Sequence, residues 1–153
     1  MVVQFTSAEA GDLRRIVQMK VAMFKEAGHE DLLPAAMAQY VLEDYERLYR
    51  ESLAIHFVAK NEGAIVASAG AFIKSDLPFR YFHPGTFGFI GDVFTEMEFR
   101  KQVISMTLNQ KALSWLKTKN VTMVRLLASD AGRPLYERLG FKPTDEMALT
   151  LET

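Results

Sequence analysis

The chain has 153 residues, which fits one domain because domains commonly run to about 100–200 residues. Hydrophobic residues make up 49% and charged residues 24%, which excludes intrinsic disorder as the main state. A net charge of −1 argues against a general nucleic-acid binder, and the lack of cysteine excludes disulfides, thiolate nucleophiles and Cys-ligated zinc.

Periodicity predicts elements in the order β–α–α–β–β–β–α–β–α–β. The predicted strands are 2–5, 54–60, 64–73, 89–94, 121–128 and 147–151. The first helix is expected to be capped by Thr6 or Ser7 and to end at Gly28, and the second to start at Pro34. Two later helices are predicted at about 104–119 and at 133–139. The turn at 61–63 makes a hairpin, so a mixed α/β (α+β) fold is expected, with a mostly antiparallel twisted sheet flanked by about four helices.

The chain shows no targeting or membrane signal. The N-terminus lacks a basic segment followed by an apolar stretch, and no window approaches the ~18 apolar residues of a membrane span. We therefore expect a cytoplasmic protein with no membrane partner. The three histidines are isolated in sequence, so no metal site is predicted.

Two segments resemble a known family. Residues 127–141 read LASDAGRPLYERLGF, and residues 92–105 read DVFTEMEFRKQVIS. The first resembles the closing motif of the GCN5-related N-acetyltransferase (GNAT) superfamily, and the second resembles its strand, pyrophosphate loop and helix start. With the element order, the resemblance covers nearly the whole chain. It implies a single GNAT-like acetyltransferase domain over residues 1–153, with acetyl-CoA as its cofactor.

The loop before the third helix is the expected pyrophosphate site. A helix N-terminus offers free N–H groups and about half a positive charge to a phosphate. The family pattern is Arg/Gln-x-x-Gly-x-Gly/Ala; here Arg100 matches, Val103 stands where Gly is expected, and Ser105 replaces the second small residue. We expect the bulky Val103 to weaken acetyl-CoA binding. A solvated Arg-Lys pair before a helix is the alternative interpretation of Arg100 and Lys101.

The resemblance implies further cofactor contacts on both sides of this loop. The backbone of the strand before the loop would lie along the pantetheine arm and polarise the thioester carbonyl. The segment before the short helix would contact the cofactor as well. The predicted cofactor-binding residues are Val93, Phe94, Thr95, Arg100, Lys101, Gln102, Val103, Ile104, Ser105, Ser129, Gly132, Arg133 and Tyr136.

Three residues are candidates for the chemistry. Tyr136 occupies the position from which the family often protonates the CoA thiolate, and a phenol of pKa ~10 suits that role. Asp92 and Glu96 flank the end of the predicted strand and are the candidate general bases, with Asp92 preferred. Water could instead relay the proton. His56, in an apolar strand, is interpreted as a structural histidine.

The resemblance places the acceptor site between the first two helices and the aromatic loop at 75–88. Phe24 and Glu26 are candidates there, as are the loop residues Phe79, Arg80, Tyr81, Phe82 and His83. Aromatic rings near a carboxylate suit an amine. A solvated helix end for Glu26, and loop anchoring or a homodimer contact for the aromatics, are the alternatives.

The sequence therefore predicts an N-acetyltransferase in which a primary amine of a small molecule or peptide attacks the thioester directly. The alternative is a non-enzymatic acyl-CoA-binding or regulatory module with a degenerate pyrophosphate loop. Val103 favours the module, and the intact segment around Tyr136 favours the enzyme.

Overall fold

A five-stranded sheet with helices on both faces forms the protein, and the computed structural model describes residues 2–77, 85–100 and 103–151. The strands are β1 (Gln4–Ser7), β2 (Ala54–Asn61), β3 (Ala64–Ser75), β4 (Thr86–Thr95) and β5 (Val124–Leu126). The helices are α1 (Leu13–Glu26), α2 (Ala38–Arg50), α3 (Ile104–Lys117) and α4 (Arg133–Arg138). The strands lie in chain order, antiparallel except for β5, which runs parallel to β4. The predicted mixed fold and mostly antiparallel sheet are confirmed.

The core lies in two layers, one on each sheet face. On one face α1 and α2 bury Leu13, Ile16 and Met19 against Phe72 of β3. On the other face α3 packs along β3 and β4, with Leu108, Ala112 and Leu116 almost fully buried. Each such large apolar side chain contributes roughly 1.5–3 kcal/mol relative to exposure. Both α1 and α3 contact β4, the strand next to the central strand β3, from opposite faces of the sheet.

The hairpin prediction is confirmed, and both predicted helix starts are wrong. Glu62 (φ 51°) and Gly63 (φ 82°) make the turn between β2 and β3. Ser7 belongs to β1, and α1 begins only after a 3₁₀ turn at Ala10–Asp12, where the Asp12 carboxylate accepts from the Glu9 N–H. A second 3₁₀ turn separates Pro34 from α2. In both places a 3₁₀ turn therefore precedes the α-helix, and only the first carries a side-chain capping box.

The predicted last strand is a further correction. Residues 147–151 form no strand, and the alternating Met147, Leu149 and Leu151 are 93%, 83% and 77% exposed. Alternation buries a face only where a neighbouring strand pairs with it, and no such pairing occurs among the described residues. The fifth strand is also shorter than predicted, at Val124–Leu126.

None of the helices in the described ranges combines the length and hydropathy needed to cross a membrane.

Candidate active site

The second half of β4 carries a bulge and an open edge. Ser68 pairs with Phe94 and Gly70 with Gly91, so Asp92 and Val93 together face the single residue between them on β3. β5 pairs with β4 only at Gly88–Ile90, and among the described residues no strand pairs with that edge beyond Ile90. Backbone groups on this edge are therefore available to an extended ligand.

Asp92 forms the centre of a buried polar cluster. It takes a left-handed backbone conformation (φ 55°), which Asp tolerates better than most residues, and its carbonyl accepts from Ser68 Oγ at 2.7 Å. Its side chain is 2% exposed and accepts from Lys20 Nζ at 2.5 Å and from Tyr45 Oη at 2.5 Å. His56 Nε2 lies 2.8 Å from the same carboxylate. The strand bulge is thereby tied to α1, α2 and β2.

Both ring nitrogens of His56 are hydrogen-bonded. The Tyr49 hydroxyl accepts from the His56 backbone N–H at 2.8 Å and also lies 2.8 Å from His56 Nδ1. Because an ionised carboxylate can only accept, Nε2 donates to Asp92. The ring itself fits because the facing residue is glycine: a Cβ on Gly70 would lie 2.9 Å from it. His56 is fully buried and fully bonded, so its interpretation as a structural histidine agrees with its contacts.

The charges in this cluster balance one another. Burial alone would raise the pKa of Asp92, but the hydrogen bond and charge interaction with His56, followed by those with Lys20, hold it well below its ordinary value of 3.8. Burial, together with the Asp92 charge, raises the pKa of Tyr45 far above 10. Asp92 therefore stays ionised and Tyr45 protonated at neutral pH. An ionised carboxylate surrounded by donors is a weak acceptor for another proton.

The second candidate base, Glu96, is more accessible. It follows the last residue of β4 and pairs with Arg15 of α1 at 2.7 Å. Its side chain is 39% exposed, against 2% for Asp92. Glu96 therefore meets solvent, whereas Asp92 does not.

Arg100 and Glu26 lie together in the structure. Two guanidinium nitrogens of Arg100 donate to the two Glu26 oxygens at 2.6 and 2.8 Å, and Nε donates to the Thr95 carbonyl at 2.8 Å. This bond lowers the pKa of Glu26 and raises that of Arg100. A predicted cofactor ligand and a predicted acceptor ligand are thus each other's partners.

Helix α3 begins at the expected place, with Val103 at its N-cap position. Val103 has φ −75° and is 75% exposed, and its side chain does not cap the helix. The first N–H groups of the helix, at Ile104 and Ser105, have no intrahelical partner. The start of α3 therefore suits an anion, with the Val103 isopropyl group beside it.

The segment around α4 arranges three more predicted residues. Ser129 Oγ accepts from the Gly132 N–H at 3.1 Å and so shapes the turn into α4, while Arg133 is exposed. Gly132 permits close packing, because a Cβ there would lie 3.0 Å from the Tyr136 ring. Tyr136 is 8% exposed and packs edge-on against Phe141 at 6.0 Å, and burial raises the pKa of its hydroxyl above 10.

Several predicted site residues lie outside the described ranges: Lys101, Gln102, Phe79, Arg80, Tyr81, Phe82 and His83. Phe24 is described and half-buried on α1. The sequence interpretation did not include Lys20, Tyr45 and Tyr49 in the site. The available signal was the pair of tyrosines four residues apart on α2, since positions i and i+4 share one helix face.

The comparisons with known proteins agree with this geometry. The profile of the Acetyltransferase (GNAT) family matches residues 19–141. A GCN5-related N-acetyltransferase structure from Ralstonia eutropha JMP134 superposes with a TM-score of 0.88 at 25% identity, over 98% of this chain and 99% of that one. No curated protein matches the chain significantly.

Two further structures contain the cofactor. A predicted acetyltransferase with acetyl-CoA from Clostridium acetobutylicum has a TM-score of 0.88 at 24% identity, over 99% of this chain and 96% of that one. An aminoglycoside N-acetyltransferase in complex with CoA has a TM-score of 0.75 at 16% identity, over 99% and 95% of the two chains. At these identities the likeness shows a shared fold.

Proposed function

Because the chain belongs to the GNAT acetyltransferase family, we propose that it transfers the acetyl group of acetyl-CoA to a primary amine of a small molecule or peptide. The observation that carries the proposal is the open, bulged half of β4 leading directly to the start of α3. An extended pantetheine arm fits an unpaired strand edge, and a pyrophosphate fits a helix N-terminus.

The residues present fit acetyl-CoA in most respects. Backbone groups of Val93, Phe94 and Thr95 would hold the arm, and those of Ile104 and Ser105 would face the phosphates. Ser129, Gly132 and Arg133 would line the opposite side, with Lys101 and Gln102 completing the loop. Arg100 would contribute charge once its guanidinium is shared between Glu26 and a phosphate.

The chain's own groups supply the proton chemistry. When acetyl-CoA is bound, its thioester supplies the acetyl group and a good leaving thiolate. A backbone N–H at the bulge would polarise the thioester carbonyl for direct attack by the amine, and the chain has no cysteine that could carry the acetyl group as a thioester. Tyr136 would hold the phenolic proton that the leaving thiolate needs.

We assign removal of the amine proton to Glu96 rather than Asp92, directly or through water. Glu96 is partly exposed at the end of β4, whereas Asp92 is buried and saturated with donors. Asp92 then acts as a positioning residue that holds the bulge. The cytoplasm remains the expected location of this reaction.

A CoA-release assay tests the proposal. The chain is incubated with acetyl-CoA and each member of a panel of primary amines, and free thiol is measured above an amine-free blank. We expect release with at least one amine, together with an acetylated product detected by mass spectrometry. A rise in melting temperature with acetyl-CoA but no release with any amine would contradict transfer.

That negative outcome would favour a second function, an acyl-CoA-binding module. Two observations support it: the exposed Val103 isopropyl group at the start of α3, and the engagement of Arg100 by Glu26. The isopropyl group reduces the space for a pyrophosphate at the start of α3, and the ion pair reduces the positive charge that Arg100 can offer it. A module that only binds acyl-CoA has no use for a proton donor at Tyr136.

A further inference from the structure

Three cations lie over aromatic rings around one face of the sheet. Lys74 Nζ lies 3.8 Å from the centre of the Phe89 ring. The Arg125 guanidinium lies 5.5 Å from the Phe87 ring, and Lys20 Nζ lies 5.8 Å from the Tyr45 ring. Such contacts favour the cation where the ring is partly desolvated. We call Lys20, Lys74 and Arg125 with these rings the cationic shelf.

The strand register confirms that the shelf lies on the face covered by α1 and α2. Phe72 pairs with Phe89 and Lys74 with Phe87, and Phe72 and Phe89 pack with that helical layer. Arg125 pairs with Phe89 across β4 and β5. Adjacent residues Ile73 and Val124 pack with α3 on the opposite face, as the alternation of a strand requires. The shelf therefore spans β3, β4 and β5 on the α1 side.

The charge on the shelf is only partly compensated. Lys20 pairs with Asp92, and Arg125 pairs with Glu146. In the described part of the chain, no carboxylate lies within salt-bridge distance of Lys74. Burial lowers the pKa of Lys74, and the charges of Lys20 and Arg125 lower it further. Lys74 is an exposed residue, and its ammonium beside two like charges gains from a bound anion.

The shelf lies next to the proposed reaction centre. Phe89 precedes Asp92 by three residues on β4, which corresponds to about 10 Å along a strand. Lys20 connects the two places, because it belongs to the shelf and also donates to Asp92 at the bulge. An amine held at the bulge would direct the rest of its molecule along β4 to Phe89 and Lys74.

We propose that the cationic shelf binds an anionic group of the acceptor, so that the substrate is an amine that also carries a carboxylate or a phosphate. This inference rests on the proposed acetyl transfer for the identity of the ligand as an acceptor. Lys74 makes the direct ion pair, with its ammonium held over the Phe89 ring. Lys20 and Arg125 are each paired with a carboxylate, so Lys74 supplies the positive charge that is left for the anion.

Binding of three matched amines tests the shelf without turnover. Aminohexanoate, aminohexyl phosphate and aminohexanol, each with its amine at the end opposite the second group, are titrated calorimetrically into the chain with CoA present. We expect one of the anionic compounds to bind about 5- to 10-fold tighter than the neutral alcohol, as for a charge-assisted contact. Whichever anion binds tighter distinguishes the carboxylate from the phosphate.

Two lysine variants test whether Lys74 is responsible for the preference for an anionic amine. Lys74→Met keeps the apolar stem and should remove the preference for the anion, whereas Lys111→Met, an exposed lysine on α3, should leave it unchanged. Equal binding of all three compounds, no detectable binding of any, or a preference that survives in Lys74→Met would overturn the proposal.

Measuring the acetylation of the same three amines distinguishes the failure of the anion site from the failure of the proposed acetyl transfer. Acetylation of all three amines at the same kcat/KM would support transfer and contradict the anion site. Preferential binding of an anionic amine through Lys74 with no acetylation would support the site and contradict transfer. If both proposals are correct, the preference appears in KM and is lost in Lys74→Met.

Discussion

Arg100 and Glu26 form a bidentate ion pair, with N···O distances of 2.6 and 2.8 Å. The same guanidinium donates through Nε to the Thr95 carbonyl. The end of α1 is thereby fastened to the loop that leads into α3. A carboxylate at this position competes with a phosphate for the same guanidinium. Glu26 therefore sets how much of the Arg100 charge is available to acetyl-CoA.

Glu26→Gln should strengthen acetyl-CoA binding. The substitution removes a negative charge and frees Arg100, and an exposed pair of this kind is worth up to about 1 kcal/mol, or roughly fivefold in affinity. Isothermal titration measures the change. The gain should shrink at high salt, because exposed charges are screened.

Glu51→Gln provides the control for that experiment. Glu51 forms a similarly exposed pair with Arg47 on α2, at 3.1 Å. We expect no effect on acetyl-CoA affinity. Weaker binding in Glu26→Gln would mean that Glu26 orients Arg100 for the phosphate instead of competing with it.

Replacing Val103 should also strengthen cofactor binding. Its φ of −75° requires no glycine, so bulk alone distinguishes it from the family residue at this position. Val103→Ala should therefore give most of the gain of Val103→Gly, about threefold to tenfold in Kd, since glycine is also accepted at an N-cap. Titration with acetyl-CoA compares the two. An unchanged affinity in Val103→Gly would refute the steric argument.

Local signals made much of the fold predictable. The turn at 61–63 and the apolar periodicity of α1 and α3 depend on short stretches of sequence. The turn and α3 lie close to their predicted places, whereas α1 starts later than predicted. The failures arose where a neighbour decides the outcome. Met147 and Leu149 alternate like a strand, but alternation does not form a strand without a partner to pair with.

The buried cluster could not be assembled from sequence alone. Lys20, Tyr45, His56 and Asp92 come from α1, α2, β2 and β4, so only the tertiary fold brings them together. The sequence shows Asp92 as a carboxylate in an apolar strand, but it does not show that three other side chains lie within hydrogen-bond distance of that carboxylate. The residues of the cofactor loop, in contrast, are contiguous in sequence, so a motif can indicate them.

Tyr136→Phe should reduce kcat by roughly 100-fold with little change in acetyl-CoA affinity. The variant keeps the ring contact with Phe141 and loses only the phenolic proton, and a general acid commonly contributes about that factor. Burial raises the pKa of Tyr136 above 10, so the wild-type hydroxyl stays protonated at neutral pH and its contribution falls only in strongly alkaline solution. The pH profile of kcat measures this.

The phenylalanine variant should lack that alkaline decrease. Its residual rate should depend on pH only through the acceptor amine and the base. A kcat that equals the wild-type value across the profile would exclude Tyr136 as the proton donor.

Asp92→Asn should destabilise the fold and flatten its acid sensitivity. Removing the charge leaves Lys20, whose side chain is 24% exposed, without its counter-ion and weakens the bonds from Tyr45 and His56, which should cost about 1–3 kcal/mol. The folded pKa of Asp92 lies well below its ordinary 3.8, so its contribution to stability is complete above about pH 4. That contribution is lost as the pH falls toward the lowered value.

Urea unfolding at neutral pH and at about pH 3 measures both effects. The free energy of unfolding of the wild type should be lower at about pH 3 than at neutral pH, and that of Asp92→Asn should decrease by less. Asp44→Asn, at a side chain 70% exposed on α2, should match the wild type at neutral pH. Asparagine tolerates the left-handed backbone that Asp92 adopts, so a loss of stability reports the charge and not the strain. A variant as stable as the wild type at neutral pH would show that the bulge does not depend on this carboxylate.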